Sequence, residues 1–272
     1  MKLKLACADF TFPILPHDQA LQLIAMLGIE GVDIGLFQDR SHLQPSTEFK
    51  NVNRAAQKLK KRLDDHGLVA ADIFLQLALD YESRALNHPS AQRRRRAREA
   101  FLKALDYTAI CRGKHLTALP GVHHRQERRR DSLGRAADEL AWRLERAREY
   151  HITFAIEPHI DSFADTPRRA EKLVQDVPGL TLTLDYGHMY PRGYSEAQVE
   201  QLIQYSSHFH ARAFNKRSGS TSLPDNTINW KRIFRVMKRT NYKGWIELEY
   251  GGNNVTDTVM LRDLLRQLAK RN

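Results

Sequence analysis

The feature that most constrains the fold is an alternation. Eight short apolar, strand-like runs recur along the chain, at residues 4–10, 31–37, 68–77, 115–121, 152–159, 180–188, 207–214 and 244–250. Segments with helical spacing lie between them. Leu21, Ile24, Ala25 and Leu27 fall on one side of a helix that Gly28 ends. Leu140, Leu144 and Ala147 repeat the pattern, as do Ile233, Val236 and Met237, and residues 256–271 close the chain as an amphipathic helix. Parallel strands need a crossover between them, and a helix is the usual one. Eight such units in 272 residues predict an α/β protein, a closed (β/α)8 TIM barrel forming a single domain over residues 1–272, ahead of an open doubly wound sheet. The 42% of hydrophobic residues is enough for such a core.

The remaining bulk features exclude more than they identify. The chain has no apolar run of about 18 residues, so no membrane span is expected. The start, MKLKLACADFTFP, is too polar for a secretory leader. Cys7 and Cys111 are the only cysteines and lack metal-motif spacing, which predicts a cytoplasmic protein with reduced thiols. Lys and Arg number 43 against 32 Asp and Glu, a net charge of +11, concentrated in residues 92–98 and 125–130. Such an excess would draw a phosphorylated substrate or nucleic acid. No aromatic residues interleave with these arginines as a stacking platform would need, so the runs read as solvated helix faces and nucleic acid is not the expected partner. A homo-oligomer is as compatible with these features as a monomer.

A barrel places its chemistry at the C-terminal ends of its strands, and there the last four runs carry polar groups. Glu157 ends the fifth run, and Asp185 and His188 end the sixth. His208, His210 and Arg212 alternate along the seventh, and Glu247 and Glu249 along the eighth. Residues two apart share a face, and Glu249 lies nearer the mouth than Glu247. Glu157, Asp185 and Glu249 gathered at one mouth would repel one another without a cation. With His210 as the fourth ligand they form an oxygen-rich site suited to one divalent ion, Mn²⁺, Mg²⁺ or Co²⁺, with Zn²⁺ also accommodated. His188 is then an outer partner or a substrate contact. Arg212 suits a hydroxyl or an anion, or else a structural ion pair. His123 and His124, after the fourth run, are candidates for the pocket wall or a surface loop. Trp230 and Trp245 read as packing residues, and Tyr186 and Tyr190 as possible flanks of the substrate.

The stretches IEPH, TLDYGHM, FHARAF, NTINW and YKGWIELEY, with YESRALNHP and LPGV earlier, resemble the xylose isomerase-like TIM barrels, the sugar phosphate isomerase/epimerase superfamily. The resemblance spans most of the chain and is best over the last four strands. It implies a metal held by Glu157, Asp185, His210 and Glu249, and substrate contacts from His188, Arg212 and Lys216.

The expected activity is that of a metal-dependent sugar, sugar phosphate or keto-sugar isomerase or epimerase. Glu157 and Glu249 would exchange a proton with the substrate through a metal-stabilised enediolate. The alternative within the superfamily is a lyase or dehydratase of the inosose dehydratase kind, acting on a keto-polyol or an oxidised glycoside. A remoter one is endonuclease IV-like DNA repair, whose three zinc ions need an Asp-x-His pair. Here Asp225 is followed by Asn226 and Thr227.

Overall fold

The computed structural model describes residues 2–250 and 254–271. The eight apolar runs become eight strands: β1 (Leu5–Ala8), β2 (Gly31–Phe37), β3 (Val69–Gln76), β4 (His115–Ala118), β5 (Thr153–Ile156), β6 (Thr181–Asp185), β7 (Ser206–Ala211) and β8 (Trp245–Leu248). Each pairs in parallel with its sequence neighbours, and β1 pairs with β8 to close the barrel. The helices between them are α1 (His17–Met26), α2 (Val52–His66), α3 (Ala91–Ile110), α4 (Arg129–Glu149), α5 (Pro167–Asp176), α6 (Glu196–Glu200), α7 (Trp230–Arg239) and α8 (Val255–Arg271). None of the described helices is long and apolar enough to cross a membrane.

Local chemistry sets the helix starts. Asn51, Ser90, Thr166, Ser195 and Asn229 each accept a hydrogen bond from the backbone N–H three residues on, satisfying a donor that the first helical turn leaves open. Gly67 ends α2 in the left-handed region, at φ 66°, where a side chain would be strained. At the barrel floor, a Cβ on Gly31 would lie 2.7 Å from the Trp245 ring, so glycine there lets β2 accept that ring. Trp230 is buried against Phe209. Both tryptophans therefore pack rather than line a sugar site.

The basic run on α3 is only partly a solvated face. Arg94 and Arg98 reach across to the buried Glu139 of α4, at 3.5 and 3.0 Å, and Glu139 also holds the buried Arg143 at 2.7 Å. Two of the arginines thus bind helix to helix.

The barrel interior is polar over several levels. His115 of β4 bonds Asp72 of β3 and Ser207 of β7, each at 2.7 Å. Ser207 in turn meets Thr181 of β6 at 2.7 Å, and Thr117 meets Thr183 at 2.6 Å. The ladders shift register between Val32 and Asp33 and between Leu182 and Thr183. Such shifts re-aim the residues beyond them. Beyond the first, Asp33 reaches His208; beyond the second, Asp185 stands beside His210.

Candidate active site

Four strands present the candidate ligands at the barrel's C-terminal mouth. Glu157 follows β5, its N–H donating to the Ala118 carbonyl at 3.1 Å. Asp185 ends β6, paired with His210 on β7. Glu249 follows β8, its N–H donating to the Ala211 carbonyl at 3.1 Å. Glu157, Asp185 and His210 are buried and Glu249 is half-buried. One potential ligand atom from each of the four lies within 4.8 Å of all the others.

The turn after β6 answers why a buried strand releases Asp185 and His188 together. An Asp185 oxygen accepts the Gly187 N–H at 2.7 Å, starting the helical turn Tyr186–Met189. That turn folds His188 back over the mouth. Its Nε2 lies 3.2 Å from Asp185 Oδ2 and 3.6 Å from Glu157 Oε1. A Cβ on residue 187 would collide with the Phe214 ring, so the close turn depends on glycine.

The donor set fits a divalent ion. His210 Nδ1 lies 3.3 Å from Glu157 Oε1 and 3.1 Å from Glu249 Oε2, yet this buried nitrogen makes no hydrogen bond. Burial depresses the His210 ring, but the carboxylates of Glu247, Glu157 and Glu249 push it well above its ordinary value. Deprotonated, as a ligand must be, its nitrogen aimed between two carboxylates with a third in reach matches the ligand chemistry of Mn²⁺, Co²⁺ or Zn²⁺. Asp33, His208 and His210 form a second buried group beneath it, and Glu157, His159 and His188 a third beside it. Among the described residues Asp225 belongs to no such group; its carboxylate accepts from Ser222 at 3.1 Å.

The carboxylates are held ionised. Burial pushes Glu157 up, but the His188 and His210 rings outweigh it and hold this carboxyl well below the usual carboxylate range. Burial likewise raises Glu249, and the Arg212 guanidinium and His210 bring it down to about 2. Arg212 contacts Asp185 and lies 3.3 Å from Glu249, so its structural role as an ion-pair partner is real. His188 moves the other way: burial depresses it, and Asp185 with Glu157 raises it to about 9. Two residues before Glu249 and deeper in the barrel, Glu247 of β8 is fully buried, both its oxygens lack a hydrogen-bond partner, and burial drives it well above the usual range.

Above the ligands lies a cleft of about 370 Å³, within the usual range for small-molecule sites. Glu157, His188, Arg212 and Glu249 face it, and Phe10, Phe37 and Phe74 form an apolar wall. The structure does not bring all the sequence candidates to it. Lys216 sits in the hairpin after β7 with its ammonium over the Tyr190 ring, 5.0 Å from its centroid. His123 turns its ring to the Glu127 carbonyl at 3.1 Å in the loop before α4. His124 is buried against Glu82 and His88. Tyr186 and Tyr190 are both buried, and the Tyr190 hydroxyl donates to the Thr227 carbonyl at 2.6 Å.

Three cleft residues, Arg40, Gln76 and His159, escape the sequence reading. His159 stands two residues beyond Glu157, the spacing that flags a shared face. Arg40 follows β2, and Gln76 is the last residue of β3, a strand end where functional side chains are expected.

A family profile described as xylose isomerase-like TIM barrel matches residues 21–270. No curated protein sequence matches the chain. Among solved structures, the barrel is similar to a D-tagatose 3-epimerase-like protein at 17% identity and TM-score 0.80, covering 99% of this chain and 98% of that one. It is also similar to 3-keto-D-glucoside 4-epimerase from E. coli, at 16% identity and TM-score 0.72 over 99% and 100% of the two chains. A third is described as the probable 3-DHS dehydratase of petrobactin synthesis from Bacillus anthracis, at 15% identity and TM-score 0.73 over 99% and 100%. At these identities the likeness is one of fold.

Proposed function

The chain belongs to the xylose isomerase-like TIM barrel family, and from that premise we propose that it is a divalent-metal-dependent isomerase or epimerase of a keto-sugar or related polyol. The observation that carries the reading is the pair of carboxylates, Glu157 and Glu249, flanking His210 Nδ1 at 3.3 and 3.1 Å and held ionised.

Glu157, Asp185, His210 and Glu249 would hold the ion. Once bound, it supplies Lewis-acid polarisation of a carbonyl and its neighbouring hydroxyl. The protein's own groups supply the rest. One ionised carboxylate takes the proton from the carbon beside the carbonyl. A proton comes back either from that same group, now a carboxylic acid, or from the other carboxyl after it has gained one from solvent. Return to the opposite face of the same carbon is epimerisation; return to the adjacent carbon is aldose–ketose isomerisation. His188, fixed by Asp185 and Glu157, donates to a substrate oxygen as charge develops there. Arg212 keeps Asp185 and Glu249 in place. The three phenylalanine rings exclude water from one side of the cleft, which strengthens every charge interaction inside it.

A second reading is elimination of a β-leaving group from the same enediolate. One observation favours it. The Tyr81 hydroxyl lies 3.2 Å from Nε2 of the cleft residue His159, a hydroxyl–imidazole pair placed to protonate a departing oxygen beyond the reacting carbons.

The test is deuterium exchange. Keto-sugars incubated in D₂O with the Mn²⁺-loaded protein should gain label at the carbon beside the carbonyl. Glu157→Gln should slow this by roughly 10²- to 10⁴-fold, the usual contribution of a positioned base. Unchanged exchange in that variant would sink the reading. Label gained with loss of water or an alcohol would assign the lyase.

A further inference from the structure

We propose that Arg40, presented over the cleft with Gln76, binds a carboxylate of the substrate, so that the substrate is an acidic keto-sugar rather than a neutral ketose. This rests on the cleft being the sugar site proposed above.

The loop after β2 is constructed to present Arg40. The Ser41 hydroxyl accepts the Phe37 N–H at 3.0 Å and donates within the turn, with the Gly35 and Leu43 carbonyls at 2.5 and 2.7 Å. Asp39 takes the left-handed conformation, φ 61°, which Asp tolerates better than most residues. The Gln38 side chain accepts the Ser46 N–H at 3.0 Å. This locked turn lays the Arg40 guanidinium over the Phe37 ring, 4.7 Å from its centroid, where one N–H donates to Gln76 Oε1 at 2.9 Å. Gln76 is itself buried.

These contacts, with the Tyr81 hydroxyl also in reach of the guanidinium, leave further N–H groups of a fork that offers five donors. Among the described residues Arg40 has no carboxylate partner, unlike Arg212, which has two. Arg40 is a cation without a carboxylate partner on the wall of a partly apolar cleft, where a guanidinium favours a bidentate oxyanion. Its planar fork matches the two coplanar oxygens of a carboxylate, and no lysine lines the cleft to share a phosphate dianion.

The experiment compares D-fructose, D-fructuronate and D-fructose 6-phosphate on the Mn²⁺-loaded protein, wild type beside Arg40→Gln and Arg40→Lys. Dissociation constants are read by calorimetry and kcat/KM by turnover. The wild type should favour the uronate over the ketose by at least about 30-fold in both, a typical span for one charge-assisted contact. Arg40→Gln should collapse that ratio, and Arg40→Lys should restore part of it. A wild-type ratio near one, a ratio unchanged in Arg40→Gln, or a preference for the phosphate would each overturn the proposal. Arg40-dependent uronate binding without any proton exchange would leave it standing and sink the isomerase reading instead. Exchange on neutral ketoses with no Arg40-dependent preference would do the reverse.

Discussion

Asp33 Oδ2 lies 2.5 Å from His208 Nε2, joining β2 to β7 through the barrel interior, directly beneath the candidate ligand His210. Both side chains are buried. Removing one member of such a pair strands the other without solvent, which costs about 3–5 kcal/mol. Asp33→Ala should therefore lower the unfolding free energy by about 3 kcal/mol in urea titrations. A change under about 0.5 kcal/mol, the range of ordinary surface substitutions, would mean that the pair contributes nothing.

Arg212 contacts Asp185 and stands 3.3 Å from Glu249, so it offsets carboxylate repulsion in the absence of an ion. Arg212→Met should destabilise the EDTA-treated protein more than the metal-loaded one. The rise in melting temperature on adding Mn²⁺ should then exceed the wild-type rise, by about 3–6 °C for 1–2 kcal/mol in a chain of this size. An equal rise in both proteins would show that Arg212 and the ion do not act on the same carboxylates.

Glu249 supplies one of the four candidate ligands and is the only half-buried one. Glu249→Gln removes its charge but keeps its shape. Mn²⁺ affinity by calorimetry should fall by roughly 10- to 100-fold, about 1.4–2.7 kcal/mol at 1.36 kcal/mol per tenfold, with the far-ultraviolet circular dichroism unchanged. Wild-type affinity in this variant would remove Glu249 from the ligand set.

Asp72 titrates far from the mouth. Burial raises it, but the His115 ring at 2.7 Å outweighs that and holds it below its ordinary range. A carboxyl depressed in the folded protein adds stability above its unfolded pKa of about 3.9 and loses it as pH falls through the folded value. Asp72→Asn should thus be most destabilising at neutral pH, and the gap to wild type should narrow below about pH 4. A gap independent of pH between 7 and 3 would contradict the shift.

The barrel and its four candidate ligands were legible in the sequence for one physical reason. A period of two fixes which strand residues share a face, and a barrel fixes which end of each strand is the mouth. Glu157, Asp185, His210 and Glu249 sit on that grid, and so does Glu247, one step deeper. Asp33 was not legible, because a register shift within β2 decides where it stands. Arg40 was hidden by a loop whose course is set by the Ser41 hydroxyl and the Asp39 backbone, neither of which leaves a periodic trace. His123 and Lys216 show the converse. Each is the right residue type near a strand end, but a local partner, a carbonyl for one and a ring for the other, holds it elsewhere.

The rungs of hydroxyl, imidazole and carboxylate inside the barrel bear on how the chain finds its alignment. An apolar interior of parallel strands tolerates a slip of two residues, because leucine meets valine as readily as alanine. Here His115 must meet both Asp72 and Ser207, Ser207 must meet Thr181, and Thr117 must meet Thr183. A slip at any of β3, β4, β6 or β7 would leave several donors and acceptors facing hydrocarbon at once, each at a cost of about 1–3 kcal/mol. The interior therefore works as a keyed lock on strand alignment, and the mouth inherits its precision from rungs that never touch a substrate.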